Sequence, residues 1–168
     1  TDNEMAHDFL WRIHQHTPAK GMIQIFDRSH YEDILVPSVG KYIPQNVIDK
    51  RYATINDFER LLTESNTTIL KFYLHVSKET QEERLMERVT NPKKHYKHND
   101  GDWETRENWD EYMKVYESLF QKCNEVPWKI IPSDNNWYKE NLIAQEIIKA
   151  FEKMNMEWPK LDSEKFNS

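Results

Sequence analysis

The sequence has very little cysteine or glycine and no long apolar run. Its one cysteine, Cys123, cannot build a disulfide framework within the chain, so we expect a reducing compartment, the cytoplasm. No apolar stretch approaches the roughly 18 residues of a membrane-crossing helix, so we expect no membrane partner. The three glycines, Gly21, Gly40 and Gly101, stand far apart, which excludes a glycine-rich loop that cradles phosphates within this sequence.

An excess of basic charge is also missing. The 168 residues include 23 Lys and Arg against 29 Asp and Glu, which gives a formal net charge of −6. This balance disfavours a nucleic-acid-binding protein, so any site for an anion must be a local basic patch. What the sequence does contain is 38% apolar residues, with 12% aromatic ones, which is enough for a folded core and excludes a disordered chain.

Hydrophobic periodicity predicts one domain of the α/β class. Strands are predicted at 22–26, 68–76 and 128–131, where short apolar runs are bounded by turn residues or proline. Helices are predicted over 4–16, 55–62, 78–89, 109–120 and 142–151, the first with Thr1 and Glu4 as a capping box and the next two behind Thr54 and Ser77 as N-caps. Residues 30–53 fit neither pattern. The alternation of helices and strands indicates a mainly parallel sheet with helical crossovers.

Two charged residues follow the first predicted strand. Asp27 and Arg28 come directly after Phe26, and the ligands of open parallel sheets gather beyond the C-terminal ends of the strands. A carboxylate there can hold Mg²⁺, which takes oxygen ligands, and an adjacent arginine offers planar donors suited to phosphate. The alternative is that Asp27 caps a turn and Arg28 makes an ordinary ion pair.

A basic cluster lies on the helix after the second predicted strand and in the loop that follows. Arg84 and Arg88 are spaced i, i+4, so they share one helix face, where like charges repel each other. More basic side chains follow at Lys93, Lys94, His95, Lys97 and His98. A polyanion would relieve the repulsion and would be attracted by the local field. The alternative is a solvated helix face followed by a solvated loop.

Several stretches of the sequence together resemble one known protein family. The resemblance begins at His7-Asp8-Phe9-Leu10-Trp11-Arg12 and continues over 25–36, with Asp-Arg-Ser-His-Tyr-Glu-Asp, and over 71–79, with Lys-Phe-Tyr-Leu-His-Val-Ser. It extends through 83–85, 91–97 and 109–113 and ends at Trp128-Lys129-Ile130-Ile131-Pro132, so it covers about residues 4–153. These stretches resemble the polyphosphate kinase 2 family. The segments after Asp27 and over 51–59 are most similar to its branch that phosphorylates AMP as well as ADP.

The resemblance implies a fold and a reaction. The family has a P-loop-kinase-like, three-layer α/β/α fold with a mainly parallel sheet and a helical lid. In this sequence, residues 1–168 would form a single, partial kinase domain, and the lid would occupy about 78–122. Its members are phosphotransferases, enzymes that move phosphoryl groups between inorganic polyphosphate and nucleotides (AMP, ADP or ATP) with Mg²⁺. They assemble as homo-oligomers, which is therefore also the expectation for this chain.

The same resemblance implies roles for particular residues. Asp27 would be the Walker B-type carboxylate that holds magnesium, and Arg28 would contact phosphate beside it. Both would be catalytic. The phosphate-facing or polyphosphate-facing cations of the lid would be Arg84, Arg88, Lys94 and Lys97.

The sequence departs from the family pattern at the phosphate-binding loop. The family's G-x-x-x-x-G-K pattern would lie before Thr1 and does not occur in the sequence. We therefore expect the N-terminal part that carries this loop to be missing from the chain, which would leave the chain alone inactive. At Pro37-Ser38, where relatives often have Val-Arg, one phosphate-contacting charge is absent. Two other functions stay open: an ATP-dependent nucleoside or nucleotide kinase, and a non-catalytic module that binds polyanions.

Overall fold

Helices and two parallel strands form the regular structure of the chain, of which the computed structural model describes residues 1–159 and 161–162. Its first part contains α1 (Asp2–Met5), α2 (Trp11–His14), α3 (Glu32–Gly40) and α4 (Gln45–Glu64). Its second part contains β1 (Lys71–His75), α5 (Lys78–Thr90), a 3₁₀ helix (Pro92–Lys97), α6 (Gly101–Glu107), α7 (Trp109–Lys122), β2 (Trp128–Pro132) and α8 (Asn136–Lys153). None of the helices within these residues is long and apolar enough to cross a membrane.

Helices cover both faces of the strand pair. β1 and β2 are parallel, with Tyr73 opposite Ile130, and the ring of Tyr73 lies 4.6 Å from the ring of Tyr116 on α7. Because side chains alternate along a strand, Lys129 points to the other face, where its Nζ atom lies 2.9 Å from the carboxylate of Glu146 on α8. The predicted α/β class, with parallel strands between layers of helices, is confirmed.

The apolar core lies where α3, α4 and α7 meet beside the sheet. Ile34 on α3, Ile55 on α4 and Leu119 on α7 are each fully buried. In α4 the buried positions are spaced by three or four residues, which places them on one helix face. This packing fixes α3, and α3 follows closely after Asp27 and Arg28.

Most of the predicted elements are confirmed, with boundaries shifted by a few residues. Both later strands and the helices over 55–62, 78–89, 109–120 and 142–151 are present, the first of them as part of the longer α4. The Thr1–Glu4 capping box forms, and the hydroxyl of Ser77 accepts a hydrogen bond from the backbone N–H of Thr80 at 3.2 Å. Local side-chain chemistry therefore determines where these helices begin.

Two predictions about where helices begin and end are wrong. The range 4–16 contains α1 and α2 rather than one helix, because the carboxylate of Asp8 accepts from the N–H of Leu10 at 2.9 Å and caps a new turn. Thr54 is not an N-cap, since α4 begins at Gln45 behind a proline. Thr54 lies inside that helix, where its hydroxyl donates to the carbonyl of Lys50 at 3.0 Å.

The prediction of a buried strand at 22–26 is also wrong. This segment has no strand assignment, and its apolar side chains are exposed, with 68% exposure for Met22, 70% for Ile23 and 82% for Ile25. A strand requires a neighbour to bind its backbone N–H and C=O groups. Among the described residues β1 and β2 pair only with each other, so the segment has an apolar sequence typical of a strand without a partner.

Candidate functional site

An open cleft of about 430 Å³ lies between the bend after residue 26, helix α5 and the segment that leads into α6. The predicted site residues that line it are Arg28, Arg84, Arg88 and Lys97. The other polar side chains at its wall are Gln81, Asn99, Asp102 and Thr105. Cations that are distant in sequence therefore converge on one concave surface, which is an arrangement suited to an anion with several charges.

Asp27 and Arg28 occupy an exposed bend, and of these two residues Arg28 lines the cleft. Arg28 has a φ of 86°, in a region that side chains other than glycine rarely adopt, and its side chain is 82% exposed. The turn that follows is closed by Ser29, whose carbonyl accepts from the N–H of Glu32 at 3.0 Å, and not by Asp27. Arg28 lies 3.9 Å from the Glu32 carboxylate, a loose pair that leaves its guanidinium accessible. Such strained backbone is found at sites that bind ligands.

Arg84 is anchored to the ends of the strands. One terminal nitrogen of its guanidinium donates to the carbonyls of Ser133 and Asp134, at 2.8 and 2.9 Å, directly after β2. A guanidinium has five N–H donors, so this anchor leaves further donors for a ligand. The side chain is half-buried, and its direction is therefore set before any ligand arrives.

Arg88 is held by an ion pair with Asp102. The two side chains approach to 2.6 Å, and the same arginine nitrogen donates to the carbonyl of Lys97 at 3.4 Å. The repulsion expected between Arg84 and Arg88 is thus partly offset by a carboxylate of the protein. This ion pair joins α5 to α6 across the cleft.

The start of α5 is fixed at the same edge of the sheet. The backbone N–H of Ser77 donates to the carboxylate of Asp134 at 2.7 Å, and this bond lowers the pKa of Asp134. Ser77 is also the N-cap of α5, so β1, β2 and α5 are joined at this point. Arg84 and Arg88 are therefore positioned by the sheet end rather than by a free helix.

Lys94 does not line the cleft with the other predicted cations. Its Nζ atom lies 2.5 Å from the carboxylate of Glu87, and this hydrogen bond lowers the pKa of Glu87.

Within the predicted lid, 78–122, α5 and α6 are joined by Arg106, which donates to the carbonyl of Lys78 at 2.6 Å. Helix α7, by contrast, buries Leu119 in the core.

Some cleft residues were not predicted from the sequence. Gln81 lies three residues before Arg84 on the same helix, and that spacing could have identified it as a neighbour. Asn99, Asp102 and Thr105 reach the cleft only because the chain turns back after the 3₁₀ helix. No local pattern in the sequence specifies that return.

The carboxylates at the cleft suit a metal ion only together with a bound phosphate. Within the part of the chain that the structure describes, no group of three or more His, Cys, Asp or Glu side chains is placed to hold a metal ion. Asp27 offers one exposed carboxylate directly before Arg28 in the chain, although its side chain is not among those that line the cleft. Mg²⁺ in phosphate-handling sites is typically bound by one or two carboxylates, with water and substrate oxygens completing the shell, so Asp27 fits that kind of site.

Comparison with known proteins places this chain in a family context. The family model described as polyphosphate kinase 2 matches residues 1–159. The AMP/ADP-polyphosphate phosphotransferase of Meiothermus ruber is 45% identical over 161 residues, which cover 95% of this chain and 60% of that protein. The ADP-polyphosphate phosphotransferase of Rhodopseudomonas palustris is 33% identical over 170 residues, covering 93% of this chain and 59% of that protein.

A solved structure has the same fold. The crystal structure of polyphosphate kinase 2 from Arthrobacter aurescens TC1 superposes with a TM-score of 0.94 at 42% identity, over 98% of this chain and 59% of that one. The chain thus spans about three fifths of the length of these relatives.

Proposed function

The chain belongs to the polyphosphate kinase 2 family, and from this membership we propose that it forms the cation-lined part of the active site of a polyphosphate-dependent nucleotide phosphotransferase. The observation that carries the proposal is the convergence of Arg28, Arg84, Arg88 and Lys97 on one cleft, with Asp27 directly before Arg28 in the chain. The names of the relatives support polyphosphate together with AMP or ADP as substrates. The expectations of a cytoplasmic homo-oligomer stay predictions.

The reaction proposed is in-line phosphoryl transfer, in which the protein mainly positions and stabilises charge. Arg84 and Arg88 would orient phosphate oxygens with the N–H groups that their anchors leave open, and Arg28 would close the opposite wall. A divalent cation, Mg²⁺ by our expectation, would bind at Asp27 and neutralise charge on phosphate oxygens. A nucleotide phosphate is already an anionic nucleophile, so the cleft requires no strong general base.

The first test compares phosphoryl donors. The full-length protein is assayed with polyphosphate or ATP as donor and with AMP or ADP as acceptor. Transfer from polyphosphate to either nucleotide is the expected result. Transfer from ATP alone would favour an ordinary nucleotide kinase, and binding of polyphosphate without any transfer would favour a polyanion-binding module.

The second test replaces the proposed metal carboxylate. Asp27→Ala should lower the turnover rate by at least about a hundredfold, the scale typical of losing one group that stabilises transition-state charge. Asp110→Ala is the matched control, since it removes an exposed carboxylate from α7, and its turnover should stay near normal. Near-normal turnover of Asp27→Ala would overturn the assignment of the metal carboxylate.

A further inference from the structure

A fully satisfied polar cluster lies at the start of β1, away from the residues that line the cleft, and takes no part in the function proposed above. The exposed fractions of its side chains are 2% for Tyr31, 1% for Glu59 and 6% for Lys71. The ammonium of Lys71 donates to the hydroxyl of Tyr31 at 2.8 Å, to Glu59 at 2.8 Å and to the carbonyl of Cys123 at 3.0 Å. The hydroxyl of Tyr31 in turn donates to the other carboxylate oxygen of Glu59 at 2.6 Å.

Filling the interior with this charged cluster costs desolvation free energy. Burying an ammonium and a carboxylate removes both from water, and well-packed apolar residues of similar size often stabilise a fold equally well or better. Every N–H of the Lys71 ammonium nevertheless has an acceptor, and the ammonium also lies 4.8 Å from the ring centre of Trp128. Directional bonds of this kind define one arrangement of the elements that carry them, which apolar contacts do less strictly.

Those elements meet at the opposite end of β1 from the cleft. Glu59 belongs to α4, Lys71 begins β1, and Cys123 ends α7. β1 leads after His75 to Ser77 and α5, and so to Arg84 and Arg88. The cluster therefore lies at the base of the strand whose far end positions the cleft arginines.

Tyr31 connects the cluster to the bend that carries Asp27 and Arg28. Its backbone N–H donates to the hydroxyl of Ser29 at 3.3 Å, and the N–H of Glu32 donates to the carbonyl of Ser29 at 3.0 Å. The side chain of Tyr31 is thus fixed in the interior, while its main chain closes the turn that follows Arg28. The rest of the bend is exposed, so few other contacts restrain it.

We propose that Tyr31, Glu59 and Lys71 form a positioning cluster, which holds the Asp27–Arg28 bend at a fixed place opposite Arg84 and Arg88. The proposal rests on the proposed function for the meaning of that position, since it assigns phosphate to the cleft. None of the three side chains touches the ligand. They act through the turn that Tyr31 closes.

The first experiment needs no ligand. Tyr31→Phe removes only the hydroxyl, and amide hydrogen exchange is measured on the full-length protein. The amides of Glu32 and Asp33, which donate to Ser29 and His30, should exchange at least about tenfold faster, the scale of losing one buried hydrogen bond. The amide of Lys139 on α8 should keep its rate.

Two further variants test whether the faster exchange is specific to the cluster. Tyr116→Phe removes a hydroxyl from another partly buried tyrosine and should leave the turn amides unchanged. Glu59→Gln keeps the shape of the side chain and removes its charge, and it should accelerate the same turn amides as Tyr31→Phe. An equal acceleration of Lys139 and the turn amides, or no acceleration at the turn, would overturn the proposal.

The second experiment asks whether the cluster acts through Arg28. Binding of inorganic tripolyphosphate in the presence of Mg²⁺ is measured by calorimetry in a double-mutant cycle. Tyr31→Phe should weaken binding about threefold to tenfold in the wild-type background and less than about twofold in an Arg28→Ala background. An equal loss in both backgrounds would show that the hydroxyl does not act through the bend, and it would overturn the proposal.

The failures of the two ideas are distinguishable. If the wild-type protein does not bind tripolyphosphate, the proposed function fails, while the exchange rates still decide whether Tyr31 holds the turn. If tripolyphosphate binds and the turn amides do not respond to Tyr31→Phe, the positioning cluster fails and the proposed function stands.

Discussion

The buried cation at the base of β1 and the cations of the cleft solve opposite problems. Lys71 is only 6% exposed, and its ammonium has a protein acceptor for every N–H. The side chain of Arg88 is 33% exposed and is paired through one nitrogen, which leaves other N–H groups directed to solvent. The hydrogen bonds of Lys71 therefore stabilise only the fold, whereas the cleft cations can replace some of their bound water with a ligand.

This difference predicts how each region responds to mutation. In the interior, the loss of one partner leaves another charge buried without compensation, so the cost falls on the stability of the fold. In the cleft, water or salt replaces a lost partner, so the cost falls on ligand binding and depends on ionic strength. The predictions below test this separation.

The largest effect is expected from Lys71→Met. The substitution leaves the buried carboxylate of Glu59 without its ammonium, and the free energy of unfolding should fall by about 3–5 kcal/mol in urea titrations. The double variant Lys71→Met/Glu59→Leu should recover most of this loss, because it removes both charges. Lys122→Met, at an exposed lysine 3.7 Å from Asp49, should change stability by less than about 1 kcal/mol. A small loss in the Lys71 variant would contradict the interior half of the comparison.

A second prediction concerns pH and the neighbour of the cluster, His30. Burial, with a smaller contribution from the charge of Lys71, lowers the pKa of His30 to about 4, while Glu59 lies 3.9 Å from its Nε2 atom. The unfolded chain binds this proton below its ordinary pKa of 6.5 and the folded chain only below about 4. Stability should therefore fall as pH falls from 6.5 to 4, by up to about 1.4 kcal/mol per pH unit.

The control for this pH dependence is a second histidine. His30→Phe removes the titrating group and should flatten the stability profile between pH 6.5 and 4, measured by urea unfolding at each pH. His16→Phe replaces an exposed histidine and should keep the wild-type profile. Equal slopes in all proteins would assign the acid sensitivity to other groups.

The same contrast explains which parts of the fold could be predicted from the sequence. Local signals were sufficient for β1, α5 and α7, where a β-branched and aromatic run, the Ser77 N-cap and a long apolar stripe each act over short range. Helix α3 was missed because Pro37 lies inside it and should interrupt it. The carbonyl of Asp33, which Pro37 leaves without a helical donor, accepts from the guanidinium of Arg51 on α4. Such compensation is tertiary and leaves no local signal.

The site shows the same limit. Arg28, Arg84, Arg88 and Lys97, which line the cleft, are candidates from charge and position, because clustered cations are conspicuous in an acidic chain. Asp102 was not found, since nothing in its local sequence distinguishes it from the other acidic side chains. Asp102 comes close to its partner Arg88 only because the chain turns back after the 3₁₀ helix. The strand prediction for the exposed segment 22–26 is wrong for a related reason, because a strand needs a partner strand and hydrophobic periodicity does not reveal whether one is present.

The cleft half of the comparison predicts a large effect on binding and a small one on folding. Replacing Arg84 and Arg88 together by glutamine should raise the apparent KM for polyphosphate at least about tenfold, since bonds from charged donors are lost. The dependence of KM on salt should become flatter, because fewer charges meet the polyanion. Initial rates measured over a range of ionic strengths check both effects. An unchanged salt response would place the polyanion site elsewhere.

The smallest effect, and the one most specific to the cleft, is expected from Asp102→Asn. The Asp102 carboxylate pairs with Arg88 at 2.6 Å and must compete with an incoming phosphate for the same guanidinium. An exposed ion pair contributes at most about 1 kcal/mol, so removing its charge should lower the apparent KM for polyphosphate by no more than about fivefold, with little change in stability. Asp100→Asn, a nearby exposed carboxylate that lies 3.1 Å from His98, should leave KM unchanged. A rise in KM on Asp102→Asn would show instead that the ion pair orients Arg88 for the phosphate, so that the competing charge stabilises the binding geometry more than it opposes the ligand.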